Sequence, residues 1–174
     1  LRAISSARRT LGELPLVAED LGVITPEVEK LREDFDLPGM KVLQFAFGSD
    51  ETNPYLPHNY HPNFVVYTGT HDNETTIGWI KNASKTEHRN LRKYVHAGWG
   101  KRHRKLIEAA WASVARIAVI PMQDVLELDN RGRMNTPGTI GGNWEWRFDW
   151  HMLKRRQKNF LRVLTEKYNR AGKG

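Results

Sequence analysis

The chain of 174 residues contains no cysteine. It can therefore form neither a disulfide nor a thiolate zinc site, and cysteine usage leaves its redox compartment open. No stretch approaches the roughly 20 consecutive apolar residues that a transmembrane helix needs. A complete eight-stranded barrel with its helices typically takes about 250 residues, so the chain is also too short for that fold. With 39% hydrophobic and 27% charged residues, its composition is that of a globular domain.

The sequence has fewer acidic than basic residues, 20 against 27, and its formal net charge is +7. Much of the excess lies in two late runs, residues 101–105 and 154–156. Such runs fit either a nucleic-acid or membrane-surface patch or the solvated face of a helix. Apolar residues at helical spacing flank both runs, and no stacking aromatic residues interleave with them. This arrangement favours the solvated helix face.

Four short apolar runs that end in carboxylates are the strongest pattern in the sequence. The runs are residues 16–20, 42–50, 65–72 and 117–124, and helical patterns separate them. Buried parallel strands that alternate with helices deliver polar groups at their carboxyl ends, as in a (β/α)8 barrel. Carboxylates without a metal-ligand cluster favour acid/base and covalent chemistry on sugar bonds. The sequence therefore predicts an α/β fold that is half of a TIM barrel, with open strand edges at residues 16–18 and 117–120.

The first residues predict an amphipathic helix. Leu1, Ile4 and Leu11 share one face of it, and Gly12 can serve as its C-terminal stop. Because the sequence opens inside this helix, without an N-cap, we expect a piece of a longer protein.

Further helices are predicted from their end signals. Thr25 is an N-cap candidate followed by Pro26, and the inward stripe of that helix consists of Val28, Leu31 and Phe35. Ser84 and Glu87 have the spacing of a capping box. Another helix is predicted over residues 102–115.

Glu19 directly follows the apolar run at residues 16–18. A carboxyl at the lip of an apolar strand is partly desolvated, which favours its protonated form and suits a general acid. The alternative is that Glu19 or Asp20 caps the next helix, and Asp20 is the better candidate for capping. Spacing alone leaves both interpretations of Glu19 open.

Residues 69–76 form the densest polar cluster of the sequence. Gly69 allows a tight bend after the apolar strand, and His71 and Asp72 on that bend can converge on a ligand. They could donate to sugar hydroxyls and hold negative charge near an oxocarbenium-like centre. A metal site is one alternative, for which a single His-Asp pair is weak evidence. Turn formation by Asp-Asn is the other, and the pattern does not decide between these interpretations.

Two turn-rich segments, residues 49–63 and 130–143, are predicted to be loops, and the first is long enough to be functional. Asp50 lies on the first segment and Asn135 on the second, which leads to the aromatic residues at 144–146. Aromatic rings can cover the C–H faces of sugars while amides bind their hydroxyls. Each single loop aromatic is nevertheless more often a packing residue.

Five motifs occur in order along the chain: AEDLG (18–22), LPGMKVLQF (37–45), LPHNY (56–60), YTGTHDN (67–73) and MNTPG (134–138). Together they closely resemble the amylomaltases, which are 4-α-glucanotransferases, or disproportionating enzymes, related to the α-amylase superfamily. The resemblance spans nearly the whole chain. It implies that residues 1–174 correspond to the C-terminal half of the catalytic barrel, with roughly strands 5 to 8 and their helices.

The resemblance implies a retaining transfer of α-1,4-glucan segments that needs neither a metal nor an organic cofactor. It makes Glu19 the catalytic acid/base and Asp72 the aspartate that stabilises the transition state. The substrate-binding residues are then His71, Asp50, Asn135 and Asp20.

The nucleophile of that family is an aspartate in an Arg-x-Asp-His motif, and this sequence contains no such motif. We therefore expect two kinds of partner, namely α-1,4-glucans or maltooligosaccharides and the missing N-terminal half of the barrel. The alternative functions are a non-catalytic glucan-binding half-barrel, a subunit active only with a partner and, third, a basic nucleic-acid-binding module. Neither nucleic acid nor a membrane is an expected partner, and the expected location is the cytoplasm, or a plastid in a plant.

Overall fold

The computed structural model describes residues 5–6, 9–10, 12 and 15–172, apart from the Trp99 side chain. The chain divides into two compact units, Leu1–Met40 and Lys41–Gly174. The stripe predicted for the first helix lies outside the described residues. Gly12 has a φ of 78°, the left-handed conformation that glycine commonly adopts after a helix. In the described part of the chain, no helix has the length and apolar character to cross a membrane.

The first unit contains helix α1 (Pro26–Asp34), which follows Thr25 as predicted and has Pro26 in its first turn. The prediction of its inward stripe is wrong for Val28 and Leu31, because both side chains are exposed and Arg32 is the buried residue of the helix. An apolar helix face is buried only where another layer packs on it, and the described residues do not form a layer that buries these two side chains.

The segment at residues 16–18, predicted to be the first strand, forms no strand. Leu16 and Val17 are exposed. The Ala18 N–H donates to the Pro38 carbonyl at 2.8 Å, but a strand needs a continued ladder of such bonds.

In the part of the chain that the structure describes, three strands form a sheet in the order β1-β2-β3. Their bounds are Gly39–Val42 for β1, Phe64–Tyr67 for β2 and Ile117–Val119 for β3. β2 and β3 are parallel, with Val65 opposite Ile117 and Tyr67 opposite Val119. The second predicted run enters the sheet only at its beginning, because the chain turns into a 3-10 helix at Leu43–Phe45.

Helices connect and follow the strands of the second unit. They are α2 (Thr76–Asn82), α3 (Lys85–Val95), α4 (Arg102–Ala112), α5 (Met122–Val125) and α6 (Arg155–Lys167). The capping box of Ser84 and Glu87 at the start of α3 is confirmed in both of its halves. α4 ends earlier than predicted, because the backbone is already extended at Ser113.

The core of the second unit lies between the sheet and the helices. Its largest buried side chains include Leu43, Phe47, Val66, Leu91 and Leu106. β3 is at one end of the sheet, and its Ile117 and Val119 remain 44% and 40% exposed. Among the described strands β3 thus has a neighbour on one side only, as expected for the open edge predicted at residues 117–120.

Candidate active site

The loop between β2 and α2 carries two of the predicted site residues in a tight turn. Gly69 leaves room for Gln44, since a Cβ at position 69 would lie 2.5 Å from Gln44 Nε2. Asn73 Oδ1 accepts hydrogen bonds from the N–H and the hydroxyl of Thr70, both at 2.8 Å. The turn chemistry considered for this segment is thus present, and Asn73 supplies it. His71 and Asp72 lie within the turn that these bonds close.

Asp72, His71 and Asn135 form one exposed cluster beyond the end of β2. Asn135 Nδ2 donates to Asp72 Oδ1 at 2.6 Å, and His71 Nε2 lies 3.3 Å from the same oxygen. About half of the Asp72 and His71 side chains is exposed, 47% and 56% respectively. The structure therefore brings together three of the predicted residues around an open carboxylate. Within the described ranges, no group of three His, Cys, Asp or Glu side chains could hold a metal ion.

Arg133 is a fourth member of this cluster that sequence reasoning did not assign. Its Nε donates to the Asn135 carbonyl and its Nη2 to the Asp72 carbonyl, both at 2.8 Å. The Asn135 N–H in turn donates to the His71 carbonyl at 3.0 Å. These bonds join the loop after β2 to the segment that carries Asn135. The one signal in the sequence was proximity to the MNTPG motif, which does not distinguish a clamping arginine from a solvated one.

Trp144 places an indole ring beside the cluster. Its ring centroid lies 5.1 Å from that of His71, with 36° between the planes, and half of the residue is exposed. Its φ of 64° is in the left-handed region, which a bulky residue rarely adopts outside functional sites. The backbone N–H of Trp144 donates to the Met134 carbonyl at 2.7 Å. The ring therefore offers a flat, half-exposed apolar surface next to His71 of the cluster.

Asp50 is engaged within its own loop. Its Oδ1 accepts from the N–H and the hydroxyl of Thr52, at 2.9 and 2.6 Å. The hydrogen bond from the Thr52 side chain holds the pKa of Asp50 below its usual range. Among the described hydrogen bonds, those of the Asp50 side chain do not reach the Asp72 cluster, and its predicted role in substrate binding stays a prediction.

Glu19 and Asp20 lie in the first unit and differ in their surroundings. Glu19 is exposed, so the partial desolvation expected at the lip of a strand is absent. Asp20 Oδ1 accepts from the Met40 N–H at 2.6 Å, and its Oδ2 lies 3.3 Å from Arg32 Nε. The alternative in which Asp20 caps the next helix is wrong, because the N-cap is Thr25 and the contacts of Asp20 are with the start of β1 and the last turn of α1. Its role in substrate binding and the catalytic role of Glu19 stay predictions.

Two glutamates pair with part of the two basic runs. Glu127 forms ion pairs with Arg104 and Arg156, and Glu108 with Lys105 and Lys167. Burial acts to raise the pKa of Glu127, but the hydrogen bonds and charge of Arg104 outweigh it and lower that pKa. Arg104, Lys105 and Arg156 therefore lie on helices and in ion pairs, which fits a helix face for these three members of the runs.

Comparisons with known proteins define the class to which this fold and cluster belong. The family model described as 4-alpha-glucanotransferase matches residues 2–153. The 4-alpha-glucanotransferase of Thermus thermophilus is 51% identical over 168 residues, which cover 91% of this chain and 33% of that protein. The chloroplastic/amyloplastic 4-alpha-glucanotransferase of Solanum tuberosum is 54% identical over 140 residues, covering 80% of this chain and 24% of that protein.

A solved structure gives the same result for the fold. An amylomaltase from Streptococcus agalactiae, solved in complex with acarbose, matches with a TM-score of 0.90 and 34% identity, over 95% of this chain and 34% of that chain. The predicted fold class, part of a TIM barrel, is confirmed. The chain belongs to the 4-alpha-glucanotransferase family. It spans about a third of the length of the relatives it matches.

Proposed function

We propose that this chain supplies the acid/base and the transition-state-stabilising carboxylate of a 4-α-glucanotransferase. The complete barrel would transfer α-1,4-glucan segments between maltooligosaccharides by a retaining double displacement. The proposal includes a location, namely the cytoplasm, or a plastid if the source is a plant. The Solanum tuberosum relative, whose name includes the words chloroplastic/amyloplastic, supports the plastid location for a plant source.

The observation that carries the proposal is the environment of Asp72. Its carboxylate is oriented by Asn135, its backbone is held by Arg133, and half of its side chain remains open, while the Trp144 ring lies beside the neighbouring His71. A fixed negative charge of this kind stabilises positive charge that develops on a sugar ring. The indole can stack on the apolar face of the same sugar, while His71 and Asn135 bind its hydroxyls.

The remaining steps need a second and a third carboxyl group. Glu19 would protonate the departing glycosidic oxygen and later take the proton from the 4-hydroxyl of the acceptor glucan. The nucleophile would be an aspartate of the barrel part that this sequence does not contain, because no Arg-x-Asp-His motif is present. In retaining enzymes the nucleophile and the acid are about 5–5.5 Å apart. The acceptor 4-hydroxyl then breaks the bond between the nucleophile and the sugar. Because the sugar is displaced twice, the α-linkage is regenerated.

The test is a hybrid enzyme in which residues 2–153 replace the matching part of the Thermus thermophilus relative. We expect the hybrid to convert maltotriose into glucose and longer oligosaccharides. Glu19→Gln should lower turnover by roughly 10²–10⁴-fold, the usual contribution of general acid/base catalysis. An activated donor with a good leaving group should lose less in the first half-reaction. Glu29→Gln, on exposed α1 of the same unit, is the matched control and should leave turnover unchanged.

Two outcomes would contradict the proposal. A folded hybrid that transfers no glucan would exclude the function, and equal losses for both donor types in Glu19→Gln would exclude the acid role. The chain by itself should release no glucose from maltotriose.

The absent nucleophile motif also favours a second candidate, a glucan-binding part without catalysis of its own. Retention of the chain on amylose resin but not on heparin, with an inactive hybrid, would favour that candidate. Salt-dependent retention on heparin alone would indicate the nucleic-acid alternative.

A further inference from the structure

Asp124 is a buried carboxylate that ends the fourth apolar run, and it connects the two ends of the loop that carries His71 and Asp72. Its Oδ2 accepts from the Thr68 hydroxyl at 2.5 Å and from the Thr76 hydroxyl at 2.6 Å. Its Oδ1 accepts from the Thr76 N–H at 2.7 Å. Thr68 directly follows β2 and Thr76 begins α2. One side chain from a distant part of the sequence therefore holds both ends of the loop.

The surroundings of Asp124 exclude a direct role in chemistry. Asp124 is 2% exposed, and Thr68 and Thr76 are fully buried. No substrate could reach this carboxylate without unfolding the loop. The Asp124 carboxylate also does not cap its own helix, α5, because the N-cap of that helix is Pro121. Burial raises the pKa of Asp124, while the threonine hydrogen bonds act against that rise.

A second contact supports the middle of the same loop. Gln44 Nε2 donates to the Glu74 carbonyl at 2.9 Å. The Glu74 carboxylate accepts from Asn82 and Asn130, each at 2.6 Å. These contacts fix the part of the loop after Asp72, but none of them spans it. Only Asp124, among the described hydrogen-bonding side chains, bonds to residues at both ends.

We propose that Asp124 is a positioning residue, which holds the ends of the loop at a fixed separation so that Asp72 stays where the sugar becomes cationic. The inference rests on the proposed function for the consequence in catalysis. The fixed loop itself is a property of this chain and can be measured without catalysis.

The first test measures amide hydrogen exchange in the full chain. Asp124→Leu keeps the approximate size but removes every acceptor, so three buried donors lose their partner. A net hydrogen bond is worth about 1 kcal/mol, which corresponds to about fivefold, and three such bonds are lost here. We expect exchange of the amides at 69–76 to rise at least about tenfold, while the amides of α4 change little. In Asp124→Asn, the amide oxygen can still accept from the Thr76 N–H and the amide nitrogen can donate to a rotated hydroxyl, so the rise should stay below about threefold.

Thr68→Val provides a milder, nearly isosteric variant if Asp124→Leu does not fold. It removes one of the three bonds, so exchange should rise mainly at residues 69–72. Ile107→Val is the matched control for lost stability, because Ile107 is buried in α4 and belongs to neither end of the loop. Unchanged exchange at 69–76 in both Asp124→Leu and Thr68→Val would overturn the proposal. An even rise across the whole second unit would also overturn it, since Asp124 would then only stabilise the fold.

The second test measures kinetics in the hybrid enzyme. A displacement of about 1 Å at a catalytic group can lower the rate by about 10²-fold. Asp124→Leu should therefore lower kcat by about that factor with little change in KM, and Asp124→Asn should restore most of the rate. Ile107→Val should lower the melting temperature but leave kcat unchanged. A rise in KM alone would overturn the proposal. A hybrid without any transfer would instead reject the proposed function, and the exchange result would still decide whether Asp124 fixes the loop.

Discussion

Replacing Glu108 with glutamine should loosen the contact between α4 and α6, and the effect should depend on pH. Glu108 Oε2 accepts from Lys105 at 2.7 Å, and its Oε1 accepts from Lys167 at 2.7 Å and from the Tyr168 hydroxyl at 2.9 Å. The hydrogen bonds from Lys105 and then Lys167 lower the pKa of Glu108 from 4.5 to about 2. The ionised form is therefore stabilised by folding.

The magnitude follows from that difference and from the exposure of the partners. At about 1.36 kcal/mol for each unit of pKa, a fall from 4.5 to about 2 corresponds to at most about 3.4 kcal/mol. The Lys105 and Lys167 side chains are 46% and 54% exposed, so solvent screens both ion pairs. Exposed ion pairs contribute roughly 0–1 kcal/mol each. We therefore expect Glu108→Gln to lower the free energy of unfolding by about 1–2 kcal/mol at pH 7.

The sign of the pH dependence is fixed by the direction of the change. Because folding lowers the pKa of Glu108, its stabilisation is complete above about pH 4.5 and is lost as the pH falls towards 2. The pH dependence can be measured as the free energy of unfolding in urea, for the chain and for Glu108→Gln at several pH values. The difference between the two proteins should be largest at neutral pH and shrink towards pH 2. Other carboxyl groups, such as Glu127, titrate in both proteins and cancel in the difference.

Glu166→Gln is the control, since Glu166 pairs with Arg162 on the exposed face of α6. It should change the free energy of unfolding by a few tenths of a kcal/mol at most, as exposed i,i+4 pairs do. Equal stability of the chain and Glu108→Gln at pH 7 would refute the reasoning. A loss that stays constant down to pH 2 would assign the effect to packing instead of charge.

Three further predictions concern the site, a helix end and the open edge. In the hybrid enzyme, Asp72→Asn should lower kcat far more than it raises KM, because the charge acts on a cationic transition state. His71→Ala should have a smaller effect, spread more evenly over kcat and KM. If Asp72→Asn changed KM alone, Asp72 would be an ordinary binding residue. Ser84→Ala should lower the free energy of unfolding by about 1 kcal/mol in urea, since half of the capping box is lost, and Ser84→Thr should retain most of it. The chain should self-associate through the exposed Ile117 and Val119 of β3, and Val119→Lys should shift it towards monomer in gel filtration. A sharp monomer that binds no hydrophobic dye would contradict this.

Features encoded by neighbouring residues could be predicted from the sequence. The capping box of Ser84 and Glu87 and the start of α1 at Pro26 depend on side chains within a few positions of the backbone that they organise. The grouping of Asp72 with Asn135 was not a local prediction. It followed from the family resemblance, which placed both residues in motifs around one site, and the 2.6 Å bond between them is the structural outcome.

Features that depend on distant partners could not be predicted in the same way. The run at residues 16–18 has the composition of a strand, but a strand also needs a neighbour that continues the ladder, and the described residues provide the single bond from Ala18 to Pro38. The same holds for Val28 and Leu31, whose spacing indicates an apolar face but not whether a layer covers it. Nothing in the sequence indicated the left-handed backbone conformation of Trp144, since tryptophan does not favour that conformation.

Position at the end of an apolar run does not by itself assign a role to a carboxylate, and Asp72 and Asp124 show what does. Both end such a run. Three buried donors satisfy Asp124, whereas Asp72 accepts from Asn135 and stays half exposed. A carboxylate whose acceptor capacity is used by the fold cannot respond to charge on a ligand, and an open one can. An open charged loop, however, keeps a useful position only if something buried fixes its ends, because its own contacts face solvent. We therefore propose complementary roles for the two carboxylates, in which the buried Asp124 determines how well the exposed Asp72 can act.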